Sequence, residues 1–410
     1  MALTREDPRR HARRAALLAA LDHPERRFPA VHVAGTNGKG SVAAMVSRGL
    51  VLAGRHVGTF TSPDLAGPHE RLAIDGVHIA PAALAALEAR VAPAIAAAEA
   101  QFPELEPMGA FERWCAAAWV WFAEAGVQVA VVEVGIGGRH DATNALPNRV
   151  MALITSIGMD HADRLGPTLA DIVREKAGIL RADVPAFTSA RRPALTMLRA
   201  EASAMGVNLH TIPPLVGEEL PGGGWRVQLP EPTILALSGR HQLENAALAV
   251  WALGVMGVRP DVISQALATV TWPGRMERVA DTDGGTWLLD GAHNLPAAEA
   301  LTASWGDPMV VVAGFQAGKD AAAMVPTLTA GGRPLIAVAV PGALATWEPE
   351  ALRPFACGPF HVARDVPEAL GMARAIARGG LRAVAGSLYL VGAVRAHLGA
   401  CLPFAHEGAS

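Results

Sequence analysis

The sequence is poor in lysine and cysteine, and each scarcity narrows what the protein can be. Three lysines occur among the 410 residues, against 32 arginines, so arginine carries most of the positive charge. The three cysteines, Cys115, Cys357 and Cys401, lie far apart and form no Cys-x-x-Cys pair. Such spacing argues against a disulfide framework and is typical of a protein from the reducing cytoplasm.

Strong net charge and long hydrophobic runs are also missing. The formal net charge is −3 with both signs mixed, which argues against a nucleic-acid or anionic-membrane surface. The most apolar run, 114–123, is about half as long as the ~20 residues that span a bilayer. The arginine-rich start is interrupted by acidic residues and lacks the apolar segment of a signal peptide. We expect a soluble, cytoplasmic monomer that binds neither nucleic acid nor membrane.

Short apolar runs alternate with helical patterns, which predicts βαβ units with parallel sheets. The length favours two domains, with three as the alternative, at about 150 residues per domain. Strands are predicted at 30–34, 56–60, 128–134, 151–156, 185–188, 287–290, 309–315, 334–340 and 381–385. Helices are predicted at 38–53, 81–100, 111–124, 168–180, 242–256, 260–269, 295–304, 366–378 and 388–398. The stretch between 189 and 237 is punctuated by proline and glycine, which indicates short strands and loops.

A domain boundary is predicted at Trp272-Pro273-Gly274-Arg275, because Pro-Gly interrupts regular structure and a new βα series follows. The first domain then covers 1–272 and the second 273–410, the latter being a normal size for a domain. The fold class is therefore α/β, with a parallel-sheet N-terminal domain and a smaller Rossmann-like C-terminal domain.

The first strand runs into a glycine-rich turn that opens a helix, which is the architecture of a P-loop. The turn reads Gly35-Thr36-Asn37-Gly38-Lys39-Gly40-Ser41. Glycine lets the backbone wrap closely around phosphate, the amides and helix N-terminus attract it, and Lys39 neutralises its oxygens. Ser41 can offer its hydroxyl to Mg²⁺. The strict pattern GxxxxGK[ST] is broken because Gly40 separates Lys39 from Ser41.

The other two lysines also lie in segments that suggest chemistry. Lys176 follows Arg174-Glu175 on a predicted helix, and Lys319 precedes Asp320. A lysine can act as a compact point charge or, when neutral, be covalently modified, which arginine cannot do. A carboxylate, Glu133, ends the apolar strand that reaches the same sheet edge as the P-loop. Carboxylates in that position commonly hold Mg²⁺, directly or through water.

This P-loop form resembles that of the Mur-ligase superfamily, and within it the chain looks like a folylpolyglutamate synthase/dihydrofolate synthase. The resemblance covers nearly the whole chain in order and spacing. Its motifs are His32-Val33-Ala34, the P-loop, Thr61-Ser62-Pro63, Glu70-Arg71, Phe111-Glu112, Glu133 to Arg139, Asp141-Ala142-Thr143-Asn144, Asp160-His161, Glu175 to Gly178, His241-Gln242 with Asn245, Pro273-Gly274-Arg275, Asp290 to Asn294, and Gly386-Ser387.

The resemblance implies an ATP-binding first domain, a glutamate-ligase second domain and two Mg²⁺ ions. Ser41 and Glu133 would hold one ion, and Glu133 and His161 the other. It also implies a carbamylated Lys176, whose formation needs a neutral amine that burial would favour. For ATP it implies contacts from the P-loop, from His241, Gln242 and Asn245 near the adenine, from Arg275 at the phosphates and from Asp290 at the ribose.

Lys39, Lys176 and His293 are then the candidate catalytic residues, with His293 at the γ-phosphate or the developing intermediate. Ser62, Pro63 and Phe111 would contact the folate-type substrate, and Ser387 the amino acid. Lys319 matches a segment of the family, but a structural salt bridge explains it at least as well.

The implied reaction is ATP-dependent ligation of L-glutamate to a pteroate or folate carboxylate through an acyl phosphate. We expect both dihydrofolate synthase and folylpolyglutamate synthase activity. Asp64, Gly109 and His140 depart from the family pattern, and the first two could alter the pterin pocket. The alternatives are a monofunctional folylpolyglutamate synthase, another Mur-type amide ligase and a non-enzymatic P-loop switch. A cell-wall Mur ligase normally has a domain before its P-loop, and the ~30 residues here are too few for one.

Overall fold

The computed structural model describes residues 7–220 and 223–400, and the chain divides into two compact units. Unit 1 contains the chain up to Pro63, together with Pro68–Pro214 and Glu244–Ala266. Unit 2 contains Asp64–Gly67, Leu215–Leu243 and the chain from Leu267 onward. The boundary predicted after residue 272 falls near the last of these transitions and stays a prediction.

Unit 1 is built on an eight-stranded sheet whose central strands are buried on both faces. Its order is β4-β3-β2-β5-β1-β6-β7-β8, parallel from β2 to β8, with an antiparallel β3–β4 hairpin at one edge. Its strands are β1 (Ala30–Ala34), β2 (Val57–Phe60), β3 (Leu72–Ile74), β4 (Val77–His78), β5 (Val129–Glu133), β6 (Arg149–Ile154), β7 (Ala186–Thr188) and β8 (Leu209–Thr211). Every residue of β1 and β5 is buried, as expected for parallel strands covered on both faces.

Helices pack on both sides of this sheet. They are α1 (Pro8–Ala20), α2 (Lys39–Leu52), α3 (Pro81–Ala100), α4 (Ala110–Ala125), α5 (Ala162–Leu165), α6 (Leu169–Ala177), α7 (Ala194–Ala204), α8 (Gln242–Val255) and α9 (Pro260–Thr269). One core joins α1, α3 and α4 around Trp119 and Phe122. Another joins α6 and α7 around Val173 and Leu198.

Helix α3 is the one described helix that is long and apolar enough to cross a membrane by length and composition alone. Its buried residues Leu84, Leu87, Val91 and Ile95 recur every three or four positions, and the helix contacts α1 and α4. This spacing is that of an amphipathic helix on a globular domain.

Unit 2 is built on a six-stranded sheet of order β12-β13-β17-β14-β15-β16, in which only the β12–β13 pair is antiparallel. The strands are β12 (Glu277–Ala280), β13 (Thr286–Leu289), β14 (Val310–Ala313), β15 (Leu335–Ala337), β16 (Phe360–Val362) and β17 (Leu381–Ala385). The helices are α10 (Leu295–Thr302), α11 (Ala321–Leu328), α12 (Val366–Ile376) and α13 (Leu388–His397). A small antiparallel sheet adds β9 (Gly217–Leu220), β10 (Gly224–Gln228) and β11 (Pro232–Ile234).

The predicted α/β class with two parallel sheets is confirmed, and each predicted strand and helix exists. The ends agree for β1, β17, α3 and α9 and differ slightly for the others. The structure adds elements that the sequence analysis did not predict, including α1, α5, α11, the β3–β4 hairpin, β12 and β16. The prediction of only short strands and loops between 189 and 237 is wrong at α7, an eleven-residue helix whose buried Leu198 packs in the core of unit 1.

A buried charge network stabilises the sheet of unit 2. Asp281, whose side chain is 1% exposed, accepts hydrogen bonds from Trp287 Nε1 at 2.7 Å, Arg374 Nε at 2.8 Å and Arg382 Nη1 at 2.9 Å. The hydrogen bond from Arg374 is the main reason that the pKa of Asp281 lies well below its ordinary value. Removing one partner of such a buried pair leaves the other charge uncompensated.

We expect Asp281→Asn to lower the free energy of unfolding at pH 7 by about 3–5 kcal/mol. Urea unfolding followed by tryptophan fluorescence measures it. The matched control is Asp307→Asn, because Asp307 also pairs with an arginine (Arg333) but its side chain is 94% exposed, so a loss below about 1 kcal/mol is expected.

The difference in the free energy of unfolding between wild type and Asp281→Asn becomes smaller at low pH. Because the folded-state pKa of Asp281 is lowered from 3.8, its stabilisation is complete above pH 3.8 and is lost as the pH falls through the folded-state value. Equal losses for the Asp281 and Asp307 variants at pH 7 would contradict this account of the network.

Candidate functional site

The predicted P-loop is formed as a tight turn between β1 and α2. Its glycine at position 38 has a φ of 91° and directly precedes the helix. A Cβ added at Gly38 would lie 2.2 Å from Asn245 Oδ1, so a larger residue would displace the Asn245 amide. The structure therefore brings Asn245, which the sequence analysis assigned to the nucleotide, against the P-loop.

A segment that the sequence analysis missed braces this turn. Thr36 N donates to Ser156 O at 2.7 Å, and Thr36 Oγ1 donates to Gly158 O at 3.0 Å. Thr155 Oγ1 donates to Asn37 O at 2.7 Å. The sequence carries one sign of this contact, the small polar residues Thr155 and Ser156 directly after the buried strand β6. The carboxyl ends of neighbouring parallel strands share one sheet edge, so residues that follow β6 can reach the loop that follows β1.

Two of the three lysines donate to adjacent carbonyl groups of the P-loop. Lys39 Nζ donates to Thr36 O at 3.1 Å, and Lys176 Nζ donates to Gly35 O at 2.7 Å. Lys176 is 4% exposed and lies near the end of α6, whose start is capped by Thr168. Lysines 137 positions apart in sequence are thus held by one short loop.

This arrangement makes Lys176 easy to deprotonate. Burial, followed by the positive charge of Lys39, lowers the pKa of Lys176 from 10.5 to about 7, against the opposing negative charges of Asp160, Glu175 and Asp141. A substantial fraction of the amine is therefore neutral near physiological pH.

Glu133 lies in the same group at the end of β5. Its side chain is buried, with Oε2 accepting from Ser62 N at 3.1 Å and Oε1 lying 3.9 Å from Lys39 Nζ. Ser41 is buried in the first turn of α2. Three predicted site residues, Glu133, Ser62 and Lys39, are thus brought together.

His161 lies in the turn that opens α5, with a φ of 51°. Its Nε2 is 3.8 Å from Asp160 Oδ2, and its side chain is 34% exposed. Across residues 7–220 and 223–400, no three His, Cys, Asp or Glu side chains converge in a group that could hold a metal ion. Mg²⁺ commonly takes only one or two carboxylates besides water and phosphate, so the metal assignment of Ser41, Glu133 and His161 stays a prediction.

Phe111 packs where two strands of the sheet end. Its ring centroid is 5.6 Å from that of Phe60, the last residue of β2. A Cβ added at Gly135 would lie 2.6 Å from Phe111 Cζ, so the ring covers the backbone of the turn after Glu133. Pro63, the other predicted substrate residue, is exposed in the loop that follows β2.

Unit 2 gathers a second set of predicted residues at the end of β13. Asp290 is buried and accepts from Met276 N through Oδ2 and from Ala292 N through Oδ1, both at 2.8 Å. Arg275 Nη1 donates to Gly274 O at 3.3 Å. Asp290 therefore fixes the backbone around Arg275, a structural role that sequence reasoning did not assign to it.

Two predicted site histidines, His241 and His293, lie in unit 2. Burial lowers the pKa of His241, and the charges of Asp290 and Arg275 act on it in opposite directions. His293 Nδ1 lies 2.8 Å from Gly291 O; because a carbonyl can only accept, Nδ1 carries the hydrogen. In neutral His293 the lone pair is then on Nε2.

Three further predicted residues, Gln242, Ser387 and Lys319, lie in defined local surroundings. Gln242 is fully buried at the start of α8. Ser387 is 2% exposed and caps α13 by accepting from Tyr389 N. Lys319 lies in a turn, and its own backbone carbonyl accepts a hydrogen bond from Trp347 Nε1 at 3.0 Å. This contact explains the conformation of the turn and leaves a role for the Lys319 ammonium unassigned.

Comparison with known proteins places the chain among folate ligases. No known protein-family model matches it. It is 36% identical over 302 residues to the dihydrofolate synthase/folylpolyglutamate synthase of Bacillus subtilis, covering 70% of this chain and 69% of that protein. The folylpolyglutamate synthase of Mycobacterium tuberculosis complexed with ADP is structurally similar, with a TM-score of 0.86, 32% identity and coverage of 97% and 96%. Escherichia coli FolC in complex with DHPP and ADP gives a TM-score of 0.80 at 28% identity, with coverage of 95% and 92%.

Fold and site define a two-domain ligase of the Mur-ligase type that uses ATP. The chain belongs to the folylpolyglutamate synthase/dihydrofolate synthase family. The resemblance inferred from its motifs is thereby confirmed, and membership of a ligase family argues against the alternative of a non-enzymatic switch.

The lowered pKa of Lys176 predicts a pH-dependent contribution to stability. Between pH 7 and 10.5 the unfolded chain binds a proton at this lysine that the folded chain does not, so folding becomes more favourable as the pH rises. Relative to Lys176→Met, the unfolding free energy of the wild type is expected to increase by about 1.4 kcal/mol per pH unit above pH 7.

Urea titrations from pH 6 to 9, in buffers free of dissolved carbon dioxide, measure this difference. Lys319→Met is the matched control for the loss of a lysine. A constant difference for Lys176→Met would show that the buried lysine keeps its proton.

Proposed function

We propose that the protein ligates L-glutamate to the carboxylate of a pteroate or folate acceptor, using ATP and an acyl phosphate. The observation that carries this proposal is the pair of lysines on adjacent P-loop carbonyls beside a buried Glu133. That arrangement suits transfer of a phosphoryl group to a carboxylate. ADP in both structural neighbours supports ATP as the nucleotide.

The chemistry follows from the weakness of a carboxylate as an electrophile. Transfer of the γ-phosphoryl group to the acceptor carboxylate creates a good leaving group. The α-amine of glutamate then attacks the carbonyl carbon, the amide bond forms, and phosphate leaves as the amine loses a proton. Lys39 offsets negative charge on the transferring group, because a partly buried ammonium interacts more strongly with that charge than one in water.

The chain offers oxygen ligands that suit Mg²⁺. Glu133 presents a buried carboxylate beside Lys39, and Ser41 a buried hydroxyl in the first turn of α2. We assign one ion to Ser41 and Glu133 and a second to Glu133 and His161. When bound, Mg²⁺ neutralises charge on the phosphate oxygens.

We further propose that Lys176 is carbamylated. Its neutral amine would add to carbon dioxide to form an N-carboxylate, with release of one proton. The buried position of Lys176 and its pKa of about 7 support this step, because only the neutral amine reacts. The modification replaces a cation next to Lys39 with an anion, which removes the repulsion between the two groups.

Residues of unit 2, together with Asn245, carry proposed nucleotide roles. We assign His241, Gln242 and Asn245 to the adenine, Arg275 to the phosphates and Asp290 to the ribose. Asp290 already accepts two backbone N–H groups, and a carboxylate has further lone pairs for hydroxyl donors. His293, whose Nδ1 contacts Gly291 O, is assigned to the γ-phosphate or the developing intermediate.

Both acceptors are proposed because the Bacillus subtilis relative is named for both activities and the Escherichia coli neighbour holds DHPP. Phe111 offers an aromatic face beside the turn that follows Glu133, and Ser62 and Pro63 follow β2 at the same sheet edge. Ser387 is assigned to the amino acid. We also propose that the protein acts in the cytoplasm as a monomer.

The test is ADP release by the purified protein with ATP, Mg²⁺ and L-glutamate, with 7,8-dihydropteroate and tetrahydrofolate compared as acceptors. We expect turnover with both, and none when glutamate is omitted. Turnover with tetrahydrofolate alone would favour a monofunctional folylpolyglutamate synthase and point to Asp64 and Gly109.

A variant separates catalysis from binding in this assay. Lys176→Ala should still bind ATP but release ADP at a rate lower by at least about 100-fold, as for loss of a group acting in the transition state. Lys319→Ala serves as the lysine control. Absence of turnover with both acceptors in the wild type would refute the folate assignment.

A further inference from the structure

Asn144 bridges two turns on either side of the buried lysine, although no role has been given to it above. Its Nδ2 donates to Arg139 O at 2.8 Å and to Gly178 O at 3.2 Å. Its Oδ1 accepts from Arg181 Nη2 at 3.4 Å. One amide thus joins the turn after the Glu133 strand to the turn that ends α6.

These two turns pack without space between them. Arg139 N donates to Glu175 O at 2.8 Å, in the last turn of α6. A Cβ added at Gly178 would lie 2.4 Å from Arg139 Cα, and one at Gly138 would lie 2.9 Å from Glu175 O. A shift of either turn therefore moves the other, and Lys176 lies between Glu175 and Gly178 in the chain.

Two arginines contact the same junction, Arg149 from the first residue of β6 and Arg181 from the segment just after α6. Arg149 is buried and donates to Ile179 O at 3.1 Å and to the carbonyl of Asn144. Arg181 donates to Gly178 O at 3.0 Å and to Leu180 O at 2.7 Å. Carbonyl groups at the end of a helix lack intrahelical donors and favour nearby cations, so these arginines hold the end of α6 in place.

We propose that Asn144 is a positioning residue for Lys176, holding the end of α6 against the turn after Glu133. By holding the helix end, Asn144 keeps Lys176 Nζ on Gly35 O. This inference rests on the role proposed above for Lys176. Asn144 itself touches neither the P-loop nor Lys176 Nζ in the contacts described. Its effect on the reaction is exerted through the backbone of the helix end.

The test combines kinetics with the chemical reactivity of the three lysines in Asn144→Ala. We expect kcat for ADP release to fall by about 10–100-fold, as is usual when a residue that orients a reactive group is removed, with the KM for ATP nearly unchanged. Trace acetylation of the apo protein should label Lys176 several-fold faster than in wild type, while Lys319 is unchanged. Cleavage at arginine places Lys39, Lys176 and Lys319 in three separate peptides for mass spectrometry.

Two further variants keep the test decisive. Asn144→Asp keeps the shape but sets an acceptor opposite the carbonyls of Arg139 and Gly178, so it should act in the same direction if the alanine variant does not fold. Asn148→Ala is the matched control, because exposed Asn148 donates to one carbonyl, that of Arg26, at 2.6 Å; it should leave kcat and labelling unchanged.

The labelling separates the positioning role from the proposed function. Wild-type labelling of Lys176 in both Asn144 variants would overturn the positioning role, even if kcat falls. Faster labelling of Lys176 with kcat at the wild-type value would show that the position of Lys176 does not matter for turnover, which would overturn its proposed role in the reaction. Faster labelling of all three lysines would identify Asn144 as a general structural residue and overturn the inference.

Discussion

Two lysine side chains share one short loop, and much of unit 1 is arranged around that constraint. The hydrogen bonds from Lys39 to Thr36 O and from Lys176 to Gly35 O place two like charges side by side in a buried setting. Burial and repulsion by Lys39 both favour the neutral form of Lys176 and lower its pKa. Thr155 holds the loop against the end of β6, and Asn144 holds the end of α6 against the turn after β5.

Unit 2 uses its buried charges differently. Asp281 is compensated by two arginines, so its charge stabilises the sheet and carries no sign of a reactive group. Asp290 is likewise satisfied by backbone amides, yet it retains lone pairs at the carboxyl end of β13, where α/β folds bind ligands. A buried charge alone therefore does not mark a site. The contrast with Lys176 lies in compensation, because Asp281 pairs with two arginines whereas Lys176 donates to the neutral carbonyl of Gly35.

The sequence predicted the parts of the fold that depend on local patterns. Buried strands such as β1 and β5 are short apolar runs, and the P-loop and Lys176 lie in recognisable motifs. Elements with weak patterns escaped prediction: β12 begins with two charged residues, has no buried residue and pairs only with β13, and α11 contains Pro326. The brace of the P-loop by Thr155 and Ser156 depends on strand order, which a single sequence does not specify. A single sequence also does not specify that Leu215–Leu243 groups with unit 2, because this depends on contacts between distant parts of the chain.

The central claim is that Lys176 is a neutral, reactive amine at the P-loop, and a ¹³C NMR spectrum of the protein in ¹³C-labelled bicarbonate tests it most directly. With only three lysines in the chain, carbamate signals can be assigned by substitution. The account predicts a carbamate resonance that disappears in Lys176→Arg and persists in Lys319→Arg. A spectrum without a carbamate resonance, or one whose resonance survives in Lys176→Arg, would contradict it.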